Sequence, residues 1–217
     1  MGKREENNKM IYIIGIGSNM PSKHGSPVDS LKYAIKKLNQ NNIRVIKKSF
    51  LYSSPPKDFS SAANTFYNGA IMVDSALKPE SLLLVLKNIE KNLGRNTYKK
   101  NSSRTCDLDI LLVQPGSIKP IRENISKCIL PHPRIHEREF VLKPMMDICS
   151  NWMHPQQNQR ICDIYKSINT GEKLYKIAKK LWFSFFFYFT NCLMYDLYGL
   201  NMVQNELISK IKSYDPD

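Results

Sequence analysis

Two aspartates at the start of an apolar run have the spacing that most directly indicates chemistry. Asp107 and Asp109 lead into Ile110, Leu111 and Leu112, a pattern typical of a buried strand. Residues i and i+2 of a strand project from one face, about 6.5–7 Å apart along the chain. Because neighbouring like charges repel, a cation between the two carboxylates would stabilise them. The pair therefore predicts a divalent-metal site.

The loop before these aspartates is rich in cations. It carries Arg95, Lys99, Lys100 and Arg104. Cations beside a metal site favour a substrate with several phosphates. In the alternative interpretation, the acids are exposed strand residues that form salt bridges with Arg95 or Arg104. Aspartate is disfavoured in strands, and the apolar neighbours need a core, so the metal site is the preferred interpretation.

Composition narrows the partners and the compartment. The chain has 217 residues and a net charge of +13, from 32 basic and 19 acidic residues, which favours polyanions. Many of the lysines fit solvated helix faces equally well. Five cysteines without a C-x-x-C pair indicate a reducing compartment, and the polar N-terminus shows no secretory signal. We therefore expect a cytoplasmic protein.

Hydrophobic periodicity predicts an alternation of strands and helices. Apolar or alternating segments predict strands over 10–16, 43–52, 66–73 and 107–113. Helical spacing predicts one helix after Ser26-Pro27 and a second from Pro79 to Leu93. The order β-α-β-β-α-β predicts an α+β fold of the ferredoxin-like type, an antiparallel sheet with both helices on one face. A further helix is expected from about Glu137 to Ile148.

Other motifs exclude common classes. Gly15 to Asn19 matches only the start of a dinucleotide fingerprint, since the third glycine is missing and the helix begins too late. No P-loop sequence is present. His132 and His136 are four residues apart, but Pro133 disfavours a regular helix through both, so a histidine meeting a phosphate is preferred to structural zinc.

Several collinear segments together resemble one family, the 6-hydroxymethyl-7,8-dihydropterin pyrophosphokinases. The segments are IGIGSN at 14–19, LYSSPP at 51–56, FYNGA at 66–70, IEKNLGR at 89–95, RTCDLDILL at 104–112 and LPHPRIHEREFVLKPMMDI at 130–148. The resemblance covers about residues 10 to 155. It implies the ferredoxin-like fold and transfer of diphosphate from ATP to the hydroxymethyl group of the pterin, with release of AMP, in folate biosynthesis.

The resemblance also implies roles for individual residues. Asp107 and Asp109 would hold two Mg²⁺ ions. Arg95 and Arg104 would contact the ATP phosphates and act with the two aspartates in catalysis. The other residues expected to bind ATP are Glu90, His132 and Arg138. The residues expected at the pterin are Ser54, Pro55, Phe66, Asn68 and Phe140, with the two phenylalanines as a sandwich.

The chain departs from its relatives in two places. Lys100-Asn101-Ser102-Ser103 stands where relatives commonly carry a tryptophan and a glycine. Residues 179–217 have no counterpart, and the stretch 181–195 is uncharged and aromatic. We expect a disordered tail over 1–9, the pterin pyrophosphokinase domain over 10–165 and an atypical extension of unknown structure over 166–217. Packing of this segment against the domain or a partner is favoured over membrane contact, in which the run 181–203 would span the membrane or lie at its interface.

A basic module of ferredoxin-like fold that binds nucleotide or RNA without catalysis is the main alternative function. It would have no use for the acid pair, which would repel RNA. We therefore expect small-molecule substrates, ATP and the dihydropterin alcohol, with no nucleic acid and a monomeric chain. Mg²⁺-dependent release of AMP separates the two hypotheses.

Overall fold

The structure is a computed structural model that describes residues 10–55, 64–95, 103–114, 128–168, 171 and 173–177. The strands in these ranges are β1 (Met10–Ser18), β2 (Arg44–Lys48), β3 (Leu51–Ser54), β4 (Phe66–Ser75), β5 (Asp107–Gln114), β6 (Met153–His154), β7 (Gln159–Arg160) and β8 (Tyr175–Ile177). The helices are α1 (Pro27–Gln40), α2 (Pro79–Asn92), α3 (Glu139–Cys149) and α4 (Ile161–Ser167), with a 3-10 turn at Ile135–Glu137.

The main sheet is antiparallel throughout. Its order is β5-β1-β4-β3-β8, and β2 pairs with the second half of β4. The long strands β1 and β4 therefore form the centre, and β5 lies on the far side of β1. This is the strand order of a ferredoxin-like βαββαβ unit, so the predicted fold class is confirmed.

Local sequence signals explain the start of α1. The Ser26 hydroxyl accepts a hydrogen bond from the Asp29 amide, and the Asp29 carboxylate accepts one from the Ser26 amide. This reciprocal pair satisfies two amides that a helix start leaves without partners, and Pro27 follows at the first helical position. The predicted apolar stripe, which includes Leu31 and Leu38, is buried. Helix α2 likewise begins at the predicted proline.

Helices cover both faces of the sheet. Helix α1 packs on β1 and β2 and touches α2, which packs on β5. Ile13 and Met72, at the centre of the sheet, belong to a buried cluster with residues of α3 and α4. Because side chains alternate along a strand, their neighbours Ile14 and Ile71 face the layer of α1 and α2. The sequence predicted the layer of α1 and α2 but not the second one.

The predicted single strand over 43–52 is wrong, because it is two strands with a break at Ser49 and Phe50. The register against β4 shifts within β2 and again between β2 and β3. At the break, the Ser49 hydroxyl accepts the hydrogen bond of the Ala70 amide at 2.8 Å. The Phe50 amide turns away from the sheet and donates to the Asp147 carboxylate of α3 at 2.9 Å. A continuous apolar pattern could not show this distant partner.

The region after α3 contains structure that the sequence did not predict. Helix α3 begins at Glu139 rather than Glu137, after the 3-10 turn. Strands β6 and β7 form a small hairpin, and α4 packs on α3. Strand β8 pairs with β3, so the main sheet extends beyond residue 165. The bounds 10–165 and 166–217 stay a prediction.

Some predictions fall on residues that the structure does not describe. These are the tail over 1–9, most of the altered basic loop, and the aromatic stretch within 179–217. In the described part of the chain, none of the helices combines the length and the apolar character that a membrane span requires.

Candidate active site

A cavity opens on the face of the sheet that carries α3, beside the first turn of that helix. Six of the residues that line it are predicted site residues: Asn68, Asp107, Asp109, His132, Arg138 and Phe140. They come from β4, from β5, from the segment after β5 and from the start of α3. The fold therefore brings together residues from both predicted substrate sides.

The register of the central strands explains why these side chains meet. Gly17 of β1 pairs with Asn68 on one side and with Asp107 on the other, and Gly15 pairs with Asp109. Directly paired residues project from the same face of a sheet. Asn68 and the two aspartates therefore share one face, and the glycines leave open space between them.

The glycines themselves form the floor of the cavity. A Cβ atom at Gly17 would lie 3.2 Å from Oδ1 of Asn68 and 3.9 Å from Cβ of Asp107. At Gly15 it would lie 3.3 Å from the side chain of Leu111. The glycines of the Gly15–Asn19 motif, which does not match a full dinucleotide fingerprint, thus have a steric function here. The glycine run was its sequence signal, but only the strand register shows what the glycines make room for.

Asp107 is held between two arginines. Its Oδ1 accepts a hydrogen bond from Arg95 at 2.6 Å, and its Oδ2 accepts one from Arg104 at 2.7 Å. Burial raises the pKa of Asp107, but Arg104 and Arg95 lower it more, so the net pKa lies below its usual value. The carboxyl is ionised at neutral pH. The salt bridges of the alternative interpretation are present, with both arginines at once. Asp107 lines the cavity, whereas Arg95 and Arg104 are not among the residues that line it.

Glu90 lies behind β5, with only 3% of its side chain exposed. Its Oε1 accepts hydrogen bonds from the Leu108 amide at 2.6 Å and from Lys87 at 2.9 Å, and it lies 2.5 Å from Arg95. The Glu90 carboxylate therefore anchors Lys87 and Arg95. Lys87 also contacts Asp109, and Arg95 also contacts Asp107. The role of Glu90 in ATP binding stays a prediction. Its burial gives it a clear structural role as the anchor of Arg95.

Asn19, which the sequence analysis did not select, fixes the end of the basic loop. Its Oδ1 accepts a hydrogen bond from the Arg104 amide at 2.7 Å, and its own amide donates to the Arg104 carbonyl at 3.1 Å. Its Nδ2 donates to the hydroxyl of Ser103 at 3.0 Å. Asn19, directly after β1, therefore places Arg104 against Asp107.

His132 and Arg138 line the cavity together with the acid pair. The His132 amide donates to the Leu111 carbonyl at 2.9 Å, which ties this segment to β5. Nδ1 of His132 accepts a hydrogen bond from the Arg134 amide at 3.2 Å, so a neutral ring carries its proton on Nε2. Burial lowers the pKa of His132, and Arg138 lowers it further although the aspartates oppose this shift. The imidazole is neutral near pH 7 and can donate from Nε2.

The remaining predicted residues lie around Asn68. Nδ2 of Asn68 donates to the hydroxyl of Ser54 at 2.9 Å, and both side chains are buried. This leaves Oδ1 of Asn68 directed to the cavity. Phe66, at the start of β4, pairs with Ser54, and Pro55 follows Ser54 in the chain. Phe66, Ser54 and Pro55 are not among the side chains that line the cavity, whereas Phe140 is.

The fold and the cavity together define an α+β protein of ferredoxin-like topology with a polar site on its sheet. The chain belongs to the 7,8-dihydro-6-hydroxymethylpterin-pyrophosphokinase family, whose family model matches residues 13–150. The resemblance drawn from the motifs is confirmed.

Curated relatives carry corresponding names. The chain is 37% identical over 142 residues to the 2-amino-4-hydroxy-6-hydroxymethyldihydropteridine pyrophosphokinase of Bacillus subtilis. This match covers 64% of this chain and 78% of that protein. It is also 37% identical over 161 residues to the folic acid synthesis protein fol1 of Pneumocystis carinii, over 74% of this chain and 20% of that protein. The chain thus spans about a fifth of the length of such longer relatives.

Solved structures support the fold. A chain of wild-type Plasmodium falciparum HPPK-DHPS crystallised with pteroate matches with a TM-score of 0.59 at 15% identity. The match covers 81% of this chain and 51% of that chain.

Proposed function

We propose that this chain transfers diphosphate from ATP to the hydroxymethyl group of 6-hydroxymethyl-7,8-dihydropterin, yielding the pterin diphosphate and AMP for folate biosynthesis. One observation carries the proposal. Within the residues matched by the family model, the Asp107/Asp109 pair and the Asn68/Phe140 pair line the same cavity. A polyphosphate and a flat heterocycle would therefore bind side by side.

The pterin would occupy the part of the cavity beside Asn68. A carboxamide oxygen held in place by Ser54 can accept hydrogen bonds from the N–H groups at the edge of the heterocycle. The ring of Phe140 offers an aromatic face, and Phe66 would close the opposite side. An apolar slot with a few directed polar atoms is typical of sites for small heterocycles.

The ATP phosphates would occupy the side of the aspartates and arginines. Arg95 and Arg104 hold their guanidinium groups against Asp107, and Arg138 and neutral His132 line the cavity together with Asp107. These donors would orient the phosphates and stabilise charge that develops during transfer. The substrate hydroxyl would attack the β-phosphorus in line as the bond to AMP breaks. Alignment and charge neutralisation matter more in such transfers than a protein nucleophile.

The aspartates fit the Mg²⁺ that such a reaction uses. In the part of the chain that the structure describes, no group of three or more His, Cys, Asp or Glu side chains is placed to hold a metal. Mg²⁺ is usually bound in such sites by one or two carboxylates together with substrate phosphates, which suits Asp107 and Asp109. When bound, two ions would supply positive charge to the transferring diphosphate.

The RNA-binding alternative is not favoured, because the two aspartates lie within the cavity where a nucleic acid phosphate would have to bind. We further propose that the protein is a cytoplasmic monomer. Size-exclusion chromatography with light scattering tests the oligomeric state.

Replacing either aspartate should abolish most of the activity. We expect Asp107→Asn and Asp109→Asn to lower kcat for Mg²⁺-dependent AMP release by about a hundredfold or more, as loss of a transition-state charge partner typically does. The matched control is Asp163→Asn, which removes a partly exposed aspartate of α4 that forms a salt bridge with Arg160. Full activity in both active-site variants, or no AMP release by the wild type, contradicts the proposal.

A further inference from the structure

Three carboxylates and three cationic side chains form a connected cluster at the edge of the cavity. Asp107 contacts Arg95 and Arg104, and Glu90 contacts Arg95. Lys87 completes the cluster by contacting both Glu90 and Asp109. The charges of the six side chains balance before any metal or nucleotide is present. Each aspartate assigned to metal binding already has a cation from the protein beside it.

Lys87 is the member of the cluster to which neither the motifs nor the proposed mechanism gives a role. Its Nζ lies 2.9 Å from Oε1 of Glu90, 3.1 Å from the Leu108 carbonyl and 3.4 Å from Oδ1 of Asp109. Lysine side chains ordinarily carry a positive charge. These contacts place the ammonium against Asp109.

We propose that Lys87 is an internal counter-ion of Asp109 that weakens divalent-metal binding until nucleotide is bound. This inference rests on the proposed function, because it takes Asp109 as a metal ligand. A metal that approaches Asp109 meets the charge of the ammonium, which must be screened or moved. Phosphate oxygens of a bound nucleotide offer the ammonium another acceptor. Metal and nucleotide therefore bind more tightly together than either does alone.

The geometry favours Lys87 over Arg95 as the movable cation. Arg95 lies at 2.5 and 2.6 Å from two carboxylates, and 20% of its side chain is exposed. Lys87 makes the longest contact in the cluster, and 42% of its side chain is exposed. A flexible ammonium can leave Asp109 while it keeps its shorter contact with Glu90. Glu90 then acts as the tether that holds the displaced cation near the site.

Titration with Mn²⁺, followed by the electron paramagnetic resonance of the free ion, tests this role without turnover. The wild type and Lys87→Met are compared with and without an ATP analogue that carries a methylene group between its α- and β-phosphorus atoms. We expect Lys87→Met to tighten Mn²⁺ binding about tenfold in the absence of nucleotide, because one repelling unit charge is removed at short range. The factor by which the analogue tightens Mn²⁺ binding should shrink correspondingly.

Three further variants make the result specific. Lys87→Arg keeps the charge and should bind Mn²⁺ as weakly as the wild type. Lys91→Met removes an exposed lysine one turn further along α2 and should also behave as the wild type. Lys87→Gln is neutral but can still donate to Glu90, and it takes the place of Lys87→Met if that variant does not fold.

Two results overturn the inference. One is unchanged Mn²⁺ affinity in the folded neutral variants. The other is equal tightening in Lys91→Met, which would show a general effect of net charge. Asp109→Asn separates failure of the inference from failure of the proposed function. If the wild type binds Mn²⁺ with the analogue and Asp109→Asn does not, the metal site stands. If the wild type does not bind Mn²⁺ even with the analogue, both proposals fail.

Discussion

Gly17 has a role that depends on the space beside it. It lies in β1 between Asn68 and Asp107, which belong to the proposed pterin and phosphate sides. Its φ angle is not in the left-handed region, so the backbone would accept other residues. What a side chain would change is the floor of the cavity, where Oδ1 of Asn68 lies 3.2 Å from the Cβ position.

Gly17→Ala should therefore impair pterin binding specifically. The added methyl group lies closer to Oδ1 of Asn68 than an ordinary van der Waals contact, so the carboxamide must shift. We expect the KM for the pterin to rise about tenfold with a smaller change in the KM for ATP, because a displaced hydrogen-bond acceptor costs about 1–2 kcal/mol. Steady-state kinetics with each substrate varied in turn measures this difference.

Gly15→Ala is the matched control. The added methyl group would lie 3.3 Å from the buried side chain of Leu111, so it would press on the core and not on Asn68. A larger pterin effect in Gly15→Ala than in Gly17→Ala would contradict the steric role assigned to Gly17.

At the scale of elements, the site depends on a strand that is broken in the middle. Asp147 of α3 accepts hydrogen bonds from the Phe50 amide at 2.9 Å and from the Tyr52 hydroxyl at 3.0 Å. These bonds join the break between β2 and β3 to the helix whose first turn carries Phe140. The break and α3 therefore hold each other in place.

Asp147→Ala should destabilise the fold, since it leaves the Phe50 amide and the Tyr52 hydroxyl without their acceptor. We expect the free energy of unfolding to fall by about 1–2 kcal/mol, because Asp147 is itself exposed and water can replace part of the loss. Urea unfolding followed by circular dichroism measures the change. Asp163→Ala removes a partly exposed aspartate with a local salt bridge and should have little effect. Equal losses in both variants would contradict a special role for Asp147.

At the scale of the whole molecule, a net charge of +13 makes any additional protonation unfavourable for the folded state. His154 is the clearest buried site for such a proton, because only 2% of it is exposed. Its Nδ1 accepts a hydrogen bond from the Gln157 amide at 3.3 Å, and its Nε2 has no partner among the described residues. Burial lowers the pKa of His154, and His136 lowers it further.

The stability of the protein should therefore decrease as the pH falls below about 6.5, the pKa of an unfolded histidine. Below that value the unfolded chain binds a proton that native His154 does not bind until the pH passes its lower, folded pKa. His132 acts in the same direction, since its pKa is also lowered by burial. One such proton contributes a slope of at most about 1.4 kcal/mol per pH unit.

His154→Leu tests this linkage. Urea unfolding between pH 7.5 and 5.5 should show a shallower decrease in the variant than in the wild type, whatever the absolute stability of the variant. Equal slopes would show that His154 does not contribute to the pH dependence.

The sequence predicted those parts of the structure that local patterns encode. The Ser26-Pro27-Val28-Asp29 cap and the apolar stripes of α1 and α2 act within one or two turns, so their positions could be read directly. The broken strand, the second helical layer and β8 could not be read in this way. Each depends on a partner far along the chain, such as Asp147 for Phe50 or Leu51 for Ile177.

The residues of the candidate site likewise fall into those that the sequence predicted and those that only the structure revealed. Residue types and their spacing were enough to select the aspartate pair and the flanking arginines, whereas the asparagine of β4 was selected only through the family resemblance. Lys87, Asn19 and the floor formed by Gly17 became visible only in the folded chain. Lys87 looked like one more solvated lysine on a helix face, because its charge acquires a role only when α2 lies against β5.

By itself, the sequence determined which groups are available and which segments carry them, because helix caps, apolar periodicity and the i, i+2 geometry of a strand are local properties. The tertiary structure alone decided which groups meet. Strand register places Gly17 between Asn68 and Asp107, and helix packing sets Lys87 and Glu90 behind Asp109. The physical reason is that pairing and burial act between residues distant in the chain, and only the fold makes those residues neighbours.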